Sequence, residues 1–194
     1  MDQLQGIYIK KLFDPNFEAP LDVWEKFSSH MIHRSFKKNE VIKDVEQVEN
    51  YIDIIIKGSI GVFLWTDNNT KCLDLFYEDY FSCDYMSYLE EKPTELFTMA
   101  LEATEVYSIS RKNIEDLYYN NIIGLKIVRA ATETLFKHKQ RQQINLLTKT
   151  AEERYQLMMQ ETPELLQRTA SKHIASYLGV TPESLSRIRS KFTI

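Results

Sequence analysis

Between residues 20 and 33, Leu21, Trp24, Phe27 and Met31 recur at spacings of three and four, which predicts a helix with one apolar face. From about Ser35 to Ser110 the pattern changes. Short runs rich in β-branched and aromatic residues appear at 41–42, 51–56, 60–65, 72–76 and 105–109. Lys57-Gly58-Ser59 and Thr66-Asp67-Asn68-Asn69 punctuate these runs with turn chemistry. Many short strands at close spacing predict an antiparallel roll or barrel rather than a parallel sheet.

From about Lys112 to Leu147 proline is absent and helix formers dominate, with Ile114, Leu117, Leu125, Val128 and Leu135 near helical spacing. One helix of roughly 35 residues would be about 50 Å long, more than one roll can cover, so it is expected to pair with a second copy. Gly124 leaves a second reading open, in which the run bends or breaks there or meets another helix closely. Residues beyond 150 read as almost wholly helical, with Pro163 starting a helix or a turn. The fold class expected is therefore α+β. It has an antiparallel β-roll over 1–111, a long dimerisation helix over 112–148 and an all-α domain over 149–194.

Composition narrows the class. A chain of 194 residues with 43% hydrophobic and 12% aromatic content buries a real core and is not a disordered polymer. Its two cysteines, Cys72 and Cys83, are too few for a disulfide scaffold and read as reduced thiols. The first residues carry no basic segment followed by an apolar run, and no stretch approaches the ~18 apolar residues of a membrane span. A cytoplasmic protein without a membrane partner is expected. The net charge of −4 is unevenly spread. Residues 1–110 hold 10 Lys+Arg against 20 Asp+Glu, whereas 111–194 hold 14 against 8. The basic C-terminal part is the one suited to a polyanion.

The stretch from Thr169 to Arg189 meets several independent demands of a helix-turn-helix. Ile174, Ala175 and Leu178 give a first helix its apolar face, and small Ala175 lets a second helix come close. Gly179 stands where the chain must turn sharply, a position that often requires positive φ. Thr181 is suited to cap the second helix and Pro182 to occupy its first turn. Leu185 and Ile188 return to the core, leaving Glu183, Ser184, Arg187 and Arg189 outside, the division that reading a major groove requires. Arg187 is suited to guanine and Glu183 to cytosine. The two lie one turn apart and could equally pair with each other. Lys172 and Lys191 are placed for phosphates. Thr181, Pro182, Glu183, Ser184, Arg187, Arg189, Lys191 and Lys172 are the candidate DNA-binding residues.

These residues resemble the DNA-reading element of the Crp/Fnr transcriptional regulators, most closely Bacteroidetes-type members ending in Ile-Ala-Ser-Tyr-Leu-Gly-Val-Thr-Pro-Glu-Ser-Leu-Ser-Arg. The order of parts agrees over nearly the whole chain. The resemblance implies a cyclic-nucleotide-binding-like jelly roll and a homodimer on an inverted-repeat operator in double-stranded DNA, with RNA polymerase as a partner. Glu183 and Arg187 fall where the family places base readers, while Pro182 stands where a further reader, usually arginine, is found. Residues 161–167 show no strand pattern, so a reduced domain without the family's β-hairpin wing is expected.

The same resemblance places an effector pocket at Cys83, Asp84, Thr94 and Glu95. Relatives that bind cyclic nucleotides carry Gly-Glu at the first pair and Arg-Ser/Thr at the second. Here Cys83 stands for the glycine, Asp84 for the glutamate, and Thr94-Glu95 for the phosphate-binding pair. A carboxylate repels a phosphate and no arginine fork remains, so cyclic AMP and cyclic GMP are not expected as effectors, whose identity stays open. Two cysteines cannot hold an iron–sulfur cluster. His30 and His33 share a helical spacing but have no thiol nearby, so no metal is expected. Cys83 could be a redox-sensing thiol or a small buried hydrophobe.

Enzyme readings fail on missing chemistry. Residues 35–110 hold no histidine, which excludes a cupin-type metal site, and no nucleophile elbow, P-loop or dinucleotide fingerprint occurs. No catalytic residue is assigned. The alternative is a cyclic-nucleotide-type ligand-binding regulatory protein that acts on a protein partner.

Overall fold

The computed structural model describes residues 2–66, 69–120 and 122–192. Two helices, α1 (Asp2–Phe13) and α2 (Leu21–Ser28), lead into the strands β1 (Met31–Phe36), β2 (Val41–Lys43), β3 (Tyr51–Lys57), β4 (Ile60–Thr66), β5 (Asn69–Phe76) and β6 (Phe81–Ser82). A short helix α3 (Tyr85–Glu90) precedes β7 (Leu96–Ala100) and β8 (Thr104–Ser110). The strands form two four-stranded sheets, ordered β1-β8-β3-β6 and β2-β7-β4-β5, with antiparallel pairs throughout. The expected antiparallel roll is the fold. Ile55, Ile60, Val62, Phe76 and Val106 pack together in its interior.

The helix expected over 20–33 is shorter than its periodicity suggested. It stops at Ser28, and Met31 already belongs to β1, paired with Ile109. Met31 is buried either way, so its position matches the helical pattern while the backbone has become a strand. His30 and His33 therefore share no helical face. His33 lies on β1 opposite Tyr107 and pairs with Glu105 at 3.1 Å. Helix α1, β1, β6 and β7 were not foreseen. Ile9 and Phe13 anchor α1 on the core beside Trp24, whose ring stacks on Phe13 at 5.2 Å and whose indole N–H donates to the Ala19 carbonyl. Asp67 and Asn68 of the expected β4–β5 turn lie outside the described residues.

After the roll come α4 (Arg111–Asn120) and α5 (Ile122–Thr148). Two helices thus replace the single one expected over 112–147. In a continuous helix, residues seven apart lie about 10 Å apart along the axis. A Cβ on Gly124 would instead come within 2.5 Å of the Leu117 carbonyl oxygen, so α5 does not continue the axis of α4. Glycine is needed there for close approach.

One face of α5, with Ile127, Ala131, Leu135 and His138, turns toward the roll, whereas Ile122, Leu125, Phe136 and Leu147 remain 71%, 45%, 66% and 79% exposed. At about 100° per residue these four fall within roughly 60° of one another, opposite the packed face. The remaining helices are α6 (Ala151–Glu161), α7 (Pro163–Arg168), α8 (Ser171–Tyr177) and α9 (Pro182–Ser190). No strand occurs among the described residues after Ser110.

The C-terminal helices share an apolar cluster with one end of the roll, where Phe63, Cys72, Leu75 and Leu101 meet Tyr155, Ile174 and Leu178. Polar contacts reinforce the junction. The Cys72 amide donates to Ser176 Oγ at 2.9 Å, and the Arg168 guanidinium donates to Glu78 and Glu102, each at 2.7 Å. Burial alone would raise the Glu78 carboxyl, but the hydrogen bonds from Arg168 win and hold it below the usual carboxylate range.

Candidate nucleic-acid interface and effector cavity

Local chemistry builds the helix-turn-helix. Gly179 ends the first helix with φ +68°, and a Cβ there would meet nothing within 4 Å, so the backbone angle alone demands glycine. Thr181 caps α9, its hydroxyl accepting from the Ser184 amide at 3.2 Å, and Pro182 follows in the first turn. Leu185 and Ile188 bury against Ile174, Ala175 and Leu178. This fixes the outward face of α9.

Glu183 and Arg187 stand exposed on that face, and among the described residues no ion pair joins them. The helix-end amides and Thr181 hold the Glu183 carboxyl below its usual range. Pro182 and Lys172 are exposed, while Ser184 is half-buried. Arg189 donates to Ser171 Oγ at 2.7 Å, and Lys191 pairs with Glu152 at 2.5 Å, so both are held within the domain. The Lys191 pair is largely exposed. Such pairs contribute only about 0–1 kcal/mol, so a phosphate can take the ammonium over. A cleft of about 680 Å³ separates the start of α9 from the β5 end of the roll, with Lys71 on one wall and Lys172, Thr181 and Ser184 on the other.

The expected effector residues divide into two environments. Asp84 caps α3, accepting from the Ser87 amide at 3.2 Å. It is met by Lys43, whose ammonium donates to Asp84 Oδ2 at 2.8 Å, Thr94 Oγ1 at 3.1 Å and the Leu96 carbonyl at 2.8 Å. The Thr94 hydroxyl also donates to Asp84. Asp84 and Thr94 are thus brought together, but an internal cation already satisfies them. Lys43 was missed in the sequence, where nothing local marks a lysine at the end of a short strand. Only the β2–β7 pairing carries it to Thr94. Glu95 is exposed and its carbonyl accepts from the Trp65 amide, so its carboxylate takes no part in the cluster.

Cys83 lines a separate cavity of about 150 Å³ between the roll and α5, among Phe27, Ile54, Phe81 and Ile127. Burial, with Glu49, Asp53 and Asp84 nearby, pushes its thiol well above the usual range. That disfavours the thiolate and favours the reading of Cys83 as a small hydrophobe. Among the described residues no group of three or more His, Cys, Asp or Glu is placed to hold a metal, and no helix is long and apolar enough to cross a membrane.

No protein-family model matches the chain, and no curated protein matches it by sequence. Solved structures do. FixK2 from Bradyrhizobium japonicum superposes with a TM-score of 0.71 at 19% identity, covering 84% of each chain. The c-di-GMP responsive global regulator CLP of Xanthomonas campestris gives 0.68 at 18% identity, covering 89% of this chain and 91% of its own. The catabolite activator protein of Thermus thermophilus gives 0.57 at 19% identity, over 93% and 85%. The likeness is one of fold, and the fold is that of Crp/Fnr-type regulators.

Proposed function

We propose that the chain is a homodimeric, DNA-binding transcriptional regulator of Crp/Fnr type that works in the cytoplasm, with no catalytic role. One observation carries this reading. A capped helix presents Glu183 and Arg187 outward, beside a glycine turn of positive φ, on the basic part of an otherwise acidic chain. Among the described residues, no other part of the surface combines a rigid helix end, hydrogen-bonding side chains of base-reading type and lysines placed for phosphates.

The dimer is supported by α5. Ile122, Leu125, Phe136 and Leu147 lie in one exposed sector of a helix of 27 residues, about 40 Å long, which they share with the Arg129–Glu133 ion pair, Gln140 and Gln143. A second copy of the same sector is self-complementary, as a two-fold interface requires. Two copies of α9 then enter successive major grooves about 34 Å apart, which calls for an inverted-repeat operator, with RNA polymerase as the partner at the promoter. The Lys43–Asp84–Thr94 cluster argues against a cyclic nucleotide as effector, because an incoming phosphate would have to displace a buried, satisfied ion pair.

The test is a titration of the full chain against an inverted-repeat operator recovered from genomic DNA, at several salt concentrations. Specific binding at least 1,000-fold tighter than to scrambled DNA is expected. Equal affinity for both, or no binding at low salt, refutes the proposal.

A further inference from the structure

Lys139 and Thr132 line the cavity under α5, and both are already engaged. Lys139 is held by Asp74 at the rim, and the Thr132 hydroxyl donates to the Val128 carbonyl at 2.9 Å. Cys83 adds a thiol that burial keeps protonated. Of the buried carboxylates near Cys83, Asp84 is spent on Lys43 and Asp53 on Arg34, while Glu49 accepts from the amides of Asn50 and Tyr51. A charged guest would lose its water and have to compete with the buried Asp74 for Lys139, whereas an apolar guest would lose nothing.

The volume sets the size. Apolar cavities of about 150 Å³ admit a single benzene ring, and this cavity measures about 150 Å³. A second opening of about 240 Å³ adjoins it and shares Phe13, Phe76, Phe81, Ala131 and Leu135 as lining. The inner wall on the helix side is α5 itself, through Ile127, Ala131 and Leu135, on the face opposite the exposed sector.

We propose that this cavity is a binding site for a small, uncharged, apolar molecule the size of one aromatic ring. Such a guest fills space that the side chains leave empty and touches the helix whose other face carries that sector. The assignment rests on the cavity and not on DNA binding. No DNA enters its test, so either proposal can fail while the other stands.

The experiment titrates the full chain with benzene, and with benzoate as the charged counterpart, by calorimetry and thermal unfolding. Benzene is expected to bind saturably and raise the melting temperature by about 3–6 °C at roughly tenfold excess over its dissociation constant, while benzoate does neither. Ala131→Leu fills the cavity and is expected to weaken benzene binding at least tenfold. Should that variant fail to fold, Leu135→Ala enlarges the cavity and is expected to bind naphthalene at least tenfold more tightly than the natural chain does. Absence of saturable benzene binding, equal binding of benzoate, or unchanged binding in these variants overturns the proposal.

Discussion

Replacing Asp84 with Asn leaves the Lys43 ammonium, 3% exposed, without its counter-charge. Asparagine still caps α3 through its carbonyl oxygen, so the change isolates the loss of charge from the loss of the cap. Removing one partner of a buried ion pair costs roughly 3–5 kcal/mol, because the other charge stays behind unpaired. For a chain of 194 residues each kcal/mol is worth about 2–4 °C, so the melting temperature is expected to fall by roughly 6–20 °C. Lys43→Met removes the cation but strands the Leu96 carbonyl and leaves Asp84 with only Ser87 and Thr94 as donors, so it too destabilises. Together the two changes remove both charges, and the double variant is expected to be more stable than the sum of the singles by about 2 kcal/mol. Urea unfolding of the four proteins completes the cycle. A coupling below about 0.5 kcal/mol, or an Asp84→Asn cost below about 1 kcal/mol, refutes the claim that this ion pair closes the site.

Leu125→Asp places a charge in the exposed sector of α5 and is expected to convert dimer to monomer in sedimentation without unfolding the chain. Val128→Asp, which the bare sequence ranks beside it, faces the cavity and is expected to unfold the chain instead, as circular dichroism will show. Burial holds His138 and His173 below the usual imidazole range, with Lys139 and Lys172 adding to the effect and Asp74 and Glu161 opposing it at His138. Their unfolded forms therefore bind protons first, and stability is expected to fall as pH drops through about 6.5, less steeply in His138→Gln. A flat melting temperature from pH 8 to 5.5 contradicts this. Lys172→Ala is expected to weaken all DNA alike and to flatten the log–log salt dependence by about one unit.

The helix-turn-helix was legible because its determinants are local. Gly179, Thr181 and Pro182 each do one job within a few residues of themselves, and Leu185 and Ile188 repeat with the helical period. The edges of the roll were not. In β7 the buried Thr98 puts a polar residue on the inner face, and β1 runs Met-Ile-His-Arg-Ser-Phe, with alternation too weak to outweigh the helical spacing before it. The break before α5 depends on Gly124 meeting Leu117, a contact that a one-dimensional pattern does not contain. The polar cluster around Asp84 was half legible. Asp84 and Thr94 were singled out, but Lys43 lies 41 residues from Asp84 and 51 from Thr94, and only strand pairing joins them.

If α9 reads bases through Arg187, base preference depends on that one side chain. Binding-site selection from random duplexes, run side by side on the natural chain and Arg187→Ala, addresses it directly. The natural chain is expected to recover an inverted repeat with half-sites about one helical turn apart, containing a conserved guanine in each. In Arg187→Ala that guanine is expected to lose its preference, at a cost of roughly 1–3 kcal/mol per half-site, while the other positions keep theirs. An unchanged base preference in Arg187→Ala overturns base reading by Arg187, and reduces it to a surface charge beside Glu183.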